Sequence, residues 1–199
     1  MGWTGYSVST PVRRKYECDK YNTWDEENSS CEVLKSAQIG KVWYGACRHT
    51  DKKTGNVKVF GSVCLTNVDN SDSCNFWIKE MDESMHPFYY DCPIEILNLL
   101  TPTENKEALE WRKICRETVT KRKEKIRKLN ALPVGSVIQT YINRWDSEKY
   151  AFVNEQKRII KEDPAYQFKR PWWRIEGTMT YIKKNNIPDD FKVIERPSK

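Results

Sequence analysis

The sequence predicts an α+β protein: an antiparallel β-meander packed on helices, then one long basic amphipathic helix, then a small β-rich subdomain. Three patterns predict this. Two runs rich in β-branched and aromatic residues flank a polar turn at 51–56. Apolar residues recur at helical spacing across 104–130, and short apolar runs alternate with polar turns beyond residue 131. A chain of 199 residues can bury a core of its own without disulfide or metal support.

Residues 1–103 are predicted to form the meander with short helices. Asn28-Ser29-Ser30 offers a cap for a short helix that ends near Ser36. Residues 42–47 and 57–65 then form a hairpin, which residues 75–79 extend by a third strand. Pro93 suits the first turn of a further short helix, because proline lacks the N–H that such a position leaves unused.

Residues 104–130 are predicted to form the long helix. Thr101, Pro102 and Glu104 match a capping box, which places the helix start at Pro102. One face of the helix collects its apolar side chains: Ala108, Trp111, Cys115, Val119, Ile126 and Leu129. That stripe commits about half of the helix surface to a core.

Residues 131–199 are predicted to form a small, strongly bent sheet or a partly open barrel. Its strands are expected at 137–142, 150–153, 172–175 and 191–194, with a helical turn over 178–184. The net charge of +6 is divided unevenly along the chain. Residues 1–103 carry 11 Lys/Arg against 14 Asp/Glu, whereas residues 104–199 carry 23 against 14. The basic second half therefore indicates an acidic partner, either nucleic acid or a protein surface.

Cysteine usage and hydropathy indicate a cytoplasmic protein. The seven cysteines form an odd set without any Cys-x-x-Cys, a pattern that favours free thiols in a reducing compartment over disulfides or a zinc site. The first residues lack a charged leader followed by an apolar run, and no stretch approaches eighteen apolar residues. We therefore expect neither secretion nor membrane association, and the sequence leaves the oligomeric state open.

Reactive side chains are concentrated between residues 82 and 92. Asp82, Glu83, His86 and Asp91 are residue types that serve acid/base catalysis or bind a divalent cation, and Cys92 precedes a predicted helix start. Their spacing does not define a metal geometry, and Pro93 removes an N–H that would stabilise a Cys92 thiolate. The preferred interpretation is a turn between the meander and the helices, with a structural Cys92. A small Mg²⁺- or Mn²⁺-dependent hydrolase or nuclease is the alternative.

Two basic patches are the preferred binding residues. The first consists of Lys121, Arg122, Lys123, Lys125, Arg127 and Lys128, and the second consists of Lys169, Arg170, Trp172, Trp173 and Arg174. Basic side chains contact phosphates, and exposed aromatic rings stack on unpaired bases. Two structural interpretations compete with this one: cations near a helix C-terminus are favoured by its dipole, and a strand can carry one buried and one rim tryptophan.

The known motifs for acyl transfer, phosphate binding and dinucleotide binding are missing from the sequence. It contains no Gly-x-Ser-x-Gly, no Gly-x-x-x-x-Gly-Lys-Ser/Thr and no Gly-x-Gly-x-x-Gly. We therefore expect no cofactor and no bound metal.

Several short motifs resemble an uncharacterised protein family of phages and other mobile elements from gut and related bacteria. They lie within residues 1–115: Met1-Gly2-Trp3-Thr4, Leu34-Lys35-Ser36, Met81-Asp82-Glu83-Ser84-Met85, Tyr89-Tyr90-Asp91-Cys92-Pro93 and Leu99-Leu100-Thr101-Pro102-Thr103. The resemblance implies an accessory or counter-defence role, and it brings no catalytic residues with it.

Together these observations favour a non-enzymatic accessory protein of a phage or mobile element. It would bind nucleic acid, a nucleoprotein or an acidic protein surface through its basic C-terminal half, as a counter-defence inhibitor of the anti-CRISPR kind would. A plain interaction module, dimeric through aromatic surface, is a further hypothesis.

Overall fold

The computed structural model describes residues 4–8, 15–66, 74–80, 89–146, 148–163 and 172–197. It confirms the α+β class, with two antiparallel sheets and one long helix. The chain divides into two compact units, Met1–Val119 and Thr120–Lys199. This boundary falls inside the long helix, so each unit contains part of the helix predicted over 104–130. The first unit carries 15 Lys/Arg against 18 Asp/Glu, whereas the second carries 19 against 10.

The first unit contains a six-stranded antiparallel sheet in the order β1-β6-β5-β4-β3-β2. Its strands are β1 (Thr4–Val8), β2 (Trp24–Asp25), β3 (Ser29–Ile39), β4 (Val42–Asp51), β5 (Val57–Thr66) and β6 (Cys74–Glu80), and its helices are α1 (Lys15–Tyr21), α2 (Ile94–Leu97) and the first part of α3 (Lys106–Ala131). The predicted meander is confirmed, because β4, β5 and β6 are hydrogen-bonded neighbours in chain order.

At β4, both faces of this sheet carry buried side chains. Trp43 and Tyr44 are neighbours on β4, so their side chains point to opposite faces, and each is at most 1% exposed. Tyr44 packs with Trp111 of α3, and Trp43 packs with Cys18 of α1. The Trp43 indole N–H donates a hydrogen bond to Asp19 Oδ1 at 2.8 Å, which satisfies the polar atom of this buried ring.

Two local predictions in the first unit are wrong. Residues 29–36, expected to be helical after a serine cap, belong to β3, whose pairing with β4 supplies more hydrogen bonds than a two-turn helix could. The long helix starts at Lys106, because Asn105 Oδ1 caps it by accepting from the N–H groups of Glu107 (3.0 Å) and Ala108 (3.1 Å). Thr101 instead bonds to β5, accepting from Val59 N–H and donating its own N–H to Val59 O, both at 2.8 Å.

The second unit contains a five-stranded antiparallel sheet in the order β10-β9-β8-β7-β11. Its strands are β7 (Val137–Asp146), β8 (Ala151–Glu162), β9 (Trp172–Ile175), β10 (Tyr181–Ile182) and β11 (Lys192–Glu195). The helical turn predicted over 178–184 is wrong: it is replaced by β10 and a 3₁₀ turn at Lys184–Asn186. β10 forms because Tyr181 and Ile182 pair with Arg174 and Trp173 of β9.

The core of the second unit lies between its sheet and the end of α3. Its buried members are Leu129, Leu132, Ile138, Ile159, Trp173 and Ile187. Leu129 belongs to the apolar stripe predicted from the sequence, and it is fully buried. Within the described part of the chain, no helix is long and apolar enough to cross a membrane.

Candidate functional site

The segment between residues 82 and 92 is described only in part. Asp82, Glu83 and His86 lie outside the described residues. Asp91 lies beside the sheet, where its backbone N–H donates to the Tyr44 hydroxyl at 3.3 Å. Among the residues that the structure covers, no group of three or more His, Cys, Asp or Glu side chains could hold a metal ion.

Cys92 is a core residue of the first unit. It is 1% exposed and packs in the cluster that contains Tyr44 and Cys115. Burial raises the pKa of the Cys92 thiol well above its usual range, and burial raises the pKa of Cys115 to about 12. A thiol needs to be exposed and easily ionised to attack a substrate. Cys92 therefore has the properties of a structural cysteine, which the sequence analysis preferred.

Alkaline pH is expected to destabilise the first unit. Burial raises the pKa of Cys64 to about 12 and raises the pKa values of Cys92, Cys115 and Tyr44 as well. A folded-state pKa above the unfolded value means that the stability is complete below the unfolded thiol pKa near 9.0 and is lost as the pH rises towards 12. Each thiol should contribute a slope of about 1.4 kcal/mol per pH unit. Urea unfolding at pH 8, 9 and 10 measures that slope.

The double variant Cys64→Ala/Cys115→Ala is the control for this prediction. It removes two of the titrating thiols, so its free energy of unfolding should fall less steeply above pH 9. Equal slopes for the variant and the parent protein would contradict the assignment of the pH dependence to buried thiols.

The first predicted basic patch is only partly a surface for binding. Lys125 has a side chain that is 11% exposed, and its ammonium lies 2.7 Å from Asp189 Oδ1 and 2.8 Å from Ile187 O. Lys128 pairs with Glu124 one helical turn away, at 3.1 Å. Lys121, Lys123 and Arg127 are exposed, and Arg122 is half-buried. Lys125 therefore holds the segment before β11 against α3 and is not available to a partner.

The second predicted patch is divided between core and surface. Lys169 and Arg170 lie outside the described residues. Trp173 is buried in the core, and Arg174 pairs with Glu162, its Nε lying 2.6 Å from Oε1. Trp172 is half-buried and contacts the Tyr181 ring edge-on, with 5.1 Å between ring centroids. This is the structural alternative considered above, with one buried and one rim tryptophan.

Trp172 lies in a cleft of about 830 Å³. The lining residues are Asn130, Lys161, Trp172, Trp173, Tyr181, Ile182, Lys183, Lys184 and Asn185. Three of them are lysines, and none of the described lining residues is a carboxylate. The cleft therefore combines positive charge, two side-chain amides and accessible aromatic rings.

The three lysines of the cleft have different roles. Lys161 is 6% exposed, and its ammonium donates to the carbonyl oxygens of Leu129 (3.1 Å), Asn130 (3.0 Å) and Leu132 (2.5 Å). It caps the C-terminus of α3, and burial together with nearby Lys184 lowers its pKa. Lys184 donates to Asn130 Oδ1 at 3.2 Å, and Lys183 is exposed. Lys183 and Lys184 are therefore the cations that a bound ligand can reach.

A second cleft of about 630 Å³ adjoins the first. It is lined by Tyr141, Ile142, Asn143, Tyr181, Ile182, Lys183, Asn186 and Pro188. Tyr181, Ile182 and Lys183 line both clefts, so we call the two together the groove. Tyr141 and Tyr181 are 47% and 45% exposed. Three aromatic rings, those of Trp172, Tyr181 and Tyr141, thus follow the groove.

Sequence reasoning missed most of the residues of the groove. Tyr181, Lys183 and Lys184 fall in Tyr-Ile-Lys-Lys-Asn-Asn, residues 181–186, of which the first four belong to the helical turn that the sequence predicts over 178–184. The signal was present, since an aromatic residue directly precedes two cations and two amides. Only pairing with β9 shows that Tyr181 and Ile182 form a strand in this segment, beside Trp172.

Comparison with protein-family models, with curated proteins and with solved structures yields no match to this chain. The resemblance to a phage family therefore stays a prediction.

Proposed function

We propose that this chain binds single-stranded nucleic acid along the groove of its second unit. The observation that carries the proposal is the groove lining, which combines the rings of Trp172, Tyr181 and Tyr141 with the cations Lys183 and Lys184. Proteins that bind single strands combine a positive groove that follows the backbone with aromatic rings on which bases stack. The second unit meets the electrostatic requirement as well, with 19 basic against 10 acidic residues.

Single strands suit the groove better than duplexes do. Stacking on Trp172 or Tyr181 needs an unpaired base, because a paired base already has neighbours on both faces. Lys183 and Lys184 can each approach a phosphate, whereas the ammonium of Lys161 is already used by three carbonyl groups. An acidic protein surface would satisfy the lysines but would leave the aromatic rings without a comparable partner.

Fluorescence anisotropy tests the proposal with a labelled 20-nucleotide strand as DNA, as RNA and as a DNA duplex. We expect the single strands to bind more tightly than the duplex, with an affinity that falls as salt rises from 50 to 200 mM. Tyr181→Ala should weaken binding by about 1–3 kcal/mol, the range measured for loss of one stacked base. Binding that does not depend on salt, or is unchanged in Tyr181→Ala, would contradict the proposal.

Charge reversal locates the interface. Lys183→Glu/Lys184→Glu should abolish binding, whereas Lys121→Glu/Lys123→Glu makes the same charge change on α3 at residues that do not line the groove. If only the helix variant loses binding, the interface lies on the basic run instead. Lys35→Glu/Lys53→Glu in the first unit controls for net charge, since both side chains are exposed.

We also propose a counter-defence role, in which the groove engages a nucleoprotein of a bacterial defence system. The support for this part is the resemblance of residues 1–115 to a phage family, together with the basic second unit. A pull-down from a bacterial host, with and without nuclease treatment, tests it. Capture of a nucleoprotein that is lost after nuclease treatment and in Lys183→Glu/Lys184→Glu is the expected result.

A further inference from the structure

The β7–β8 hairpin forms a two-stranded arm in the second unit. Residues 140–146 pair with residues 151–157, and within the described chain these residues form no other strand pairs. β11 pairs with β7 only through residues 137–139, and β9 pairs with β8 only through residues 159–162. Among the described residues, the arm thus extends beyond the part of the sheet that has neighbouring strands on both sides.

The two faces of the arm differ in exposure and in chemistry. On one face the described side chains other than Ala151 are buried or half-buried: Thr140 is buried, Ile142 packs against the core, and Lys157 pairs with Glu155 at 2.6 Å. On the other face all the described side chains are exposed: Tyr141, Asn143, Phe152, Asn154 and Gln156. We call this second set the amide face, because it consists of three side-chain amides and two aromatic rings and carries no charge.

Strand register brings the members of the amide face together. Asn143 lies opposite Asn154, and Tyr141 lies opposite Gln156. Residues opposite each other in an antiparallel pair have Cβ atoms about 5 Å apart, so the three amides form one polar patch. Phe152 extends this patch towards the turn and is 73% exposed.

The amide face continues directly from the groove. Tyr141 and Asn143 belong to the face and also line the second cleft, beside Tyr181 and Lys183. A strand that follows the groove from Trp172 past Tyr181 therefore reaches Tyr141 and Asn143 next. This continuity indicates which partner covers the face, since it would be the same one that occupies the groove.

We infer that the amide face of the β7–β8 arm reads the bases of the nucleic acid held in the groove. Lysine contacts to phosphates hold the strand but carry no sequence information, whereas side-chain amides present a donor and an acceptor together and match base edges. Such a donor and acceptor are presented by each of the amides of Asn143, Asn154 and Gln156, and Phe152 supplies a stacking surface. The inference rests on the proposed function, to which it adds base selectivity.

The test compares the affinities of the whole chain for single-stranded dA15, dC15 and dT15 by anisotropy at one salt concentration. We expect the tightest and the weakest of these ligands to differ by about tenfold, the lower part of the range for one bidentate base contact. In Asn143→Ala/Asn154→Ala/Gln156→Ala the three affinities should converge on that of the weakest ligand. Phe152→Ala should instead weaken all three by a similar factor.

The outcomes separate this inference from the proposed function. If the parent protein binds all three strands equally, or the triple variant keeps the preference, the base-reading role is overturned while groove binding stands. If no strand binds, both are overturned. Self-association is checked by sedimentation of the free chain: a dimer that the triple variant abolishes would show that the amide face contacts a second copy, and would also overturn the inference.

Discussion

Lys161→Met is expected to lower the free energy of unfolding of the second unit by about 3 kcal/mol, because each buried acceptor left unpaired costs about 1–3 kcal/mol. The Lys161 ammonium donates to the carbonyl oxygens of Leu129, Asn130 and Leu132, at the end of α3. The last carbonyl groups of a helix have no partner within the helix, so this side chain satisfies them. Methionine has a similar length but no donor.

The destabilisation by Lys161→Met is limited because the substitution also removes a buried charge. Burial lowers the pKa of Lys161, which means that the folded unit holds the ammonium less favourably than water does. Leaving the three carbonyl groups unpaired nevertheless costs more free energy than is gained by no longer burying the ammonium. A loss of this size is a large fraction of the free energy of unfolding of a typical domain, which is about 5–15 kcal/mol.

Lys157→Met is the matched control for Lys161→Met. Lys157 lies on the same strand and the same face four residues earlier, but its side chain is 36% exposed and pairs only with Glu155 among the described contacts. We expect a change within about 0.5 kcal/mol, because exposed ion pairs contribute little. Urea unfolding followed by tryptophan fluorescence measures both variants. Equal destabilisation by the two substitutions would show that Lys161 does not act as the helix cap.

Gly45→Ala is expected to destabilise the first unit by about 3 kcal/mol, at the upper end of the range for overpacking a core. A Cβ atom added at Gly45 would lie 2.1 Å from Cη2 and 2.7 Å from Cζ2 of Trp43. The Trp43 ring folds over Gly45 on the same face of β4, and it is fully buried and bonded to Asp19. The ring therefore cannot move without losing its packing.

The sign of the stability change in Gly45→Ala shows whether the Trp43 ring approaches Gly45 closely. Glycine inside a strand is ordinarily unfavourable, so alanine at an open strand position would stabilise the fold by about 0.5–1 kcal/mol. In a Trp43→Leu background the ring is gone, and Gly45→Ala should then be neutral or stabilising. Thermal unfolding of the parent protein, the two single variants and the double variant gives a double-mutant cycle for this contact. A Gly45→Ala variant as stable as the parent would contradict the close approach of the ring.

Secondary structure followed from the sequence where the pattern was long and regular. β4 and β5 were predicted because β-branched and aromatic residues flank a Gly/Asn turn, and the amphipathic stripe of α3 predicted the burial of Trp111, Cys115 and Leu129. Short polar segments were predicted less well. Residues 29–36 were assigned from a cap signal alone, although their conformation depends on pairing with β4.

In the candidate site, too, local features were predicted from the sequence and features that depend on distant contacts were not. The sequence predicts Lys125 and Arg174 as binding residues because they are basic, but each pairs with an acid elsewhere in the chain, Lys125 with Asp189 and Arg174 with Glu162. Trp172 was predicted as a surface aromatic residue, and the structure places it in the groove. Lys183 and Lys184 were missed because no property of a single sequence window distinguishes lysines in a groove from lysines on an open surface.

The sequence by itself determined the α+β class, the separation of charge into an acidic first part and a basic second part, and the apolar stripe of the long helix. Each of these depends on local composition or on the period of the chain, which a sequence states directly. Only the tertiary structure decided which cations are internal and which line a groove. That outcome depends on contacts between residues far apart in sequence, such as Lys161 with Leu129 and Trp172 with Tyr181.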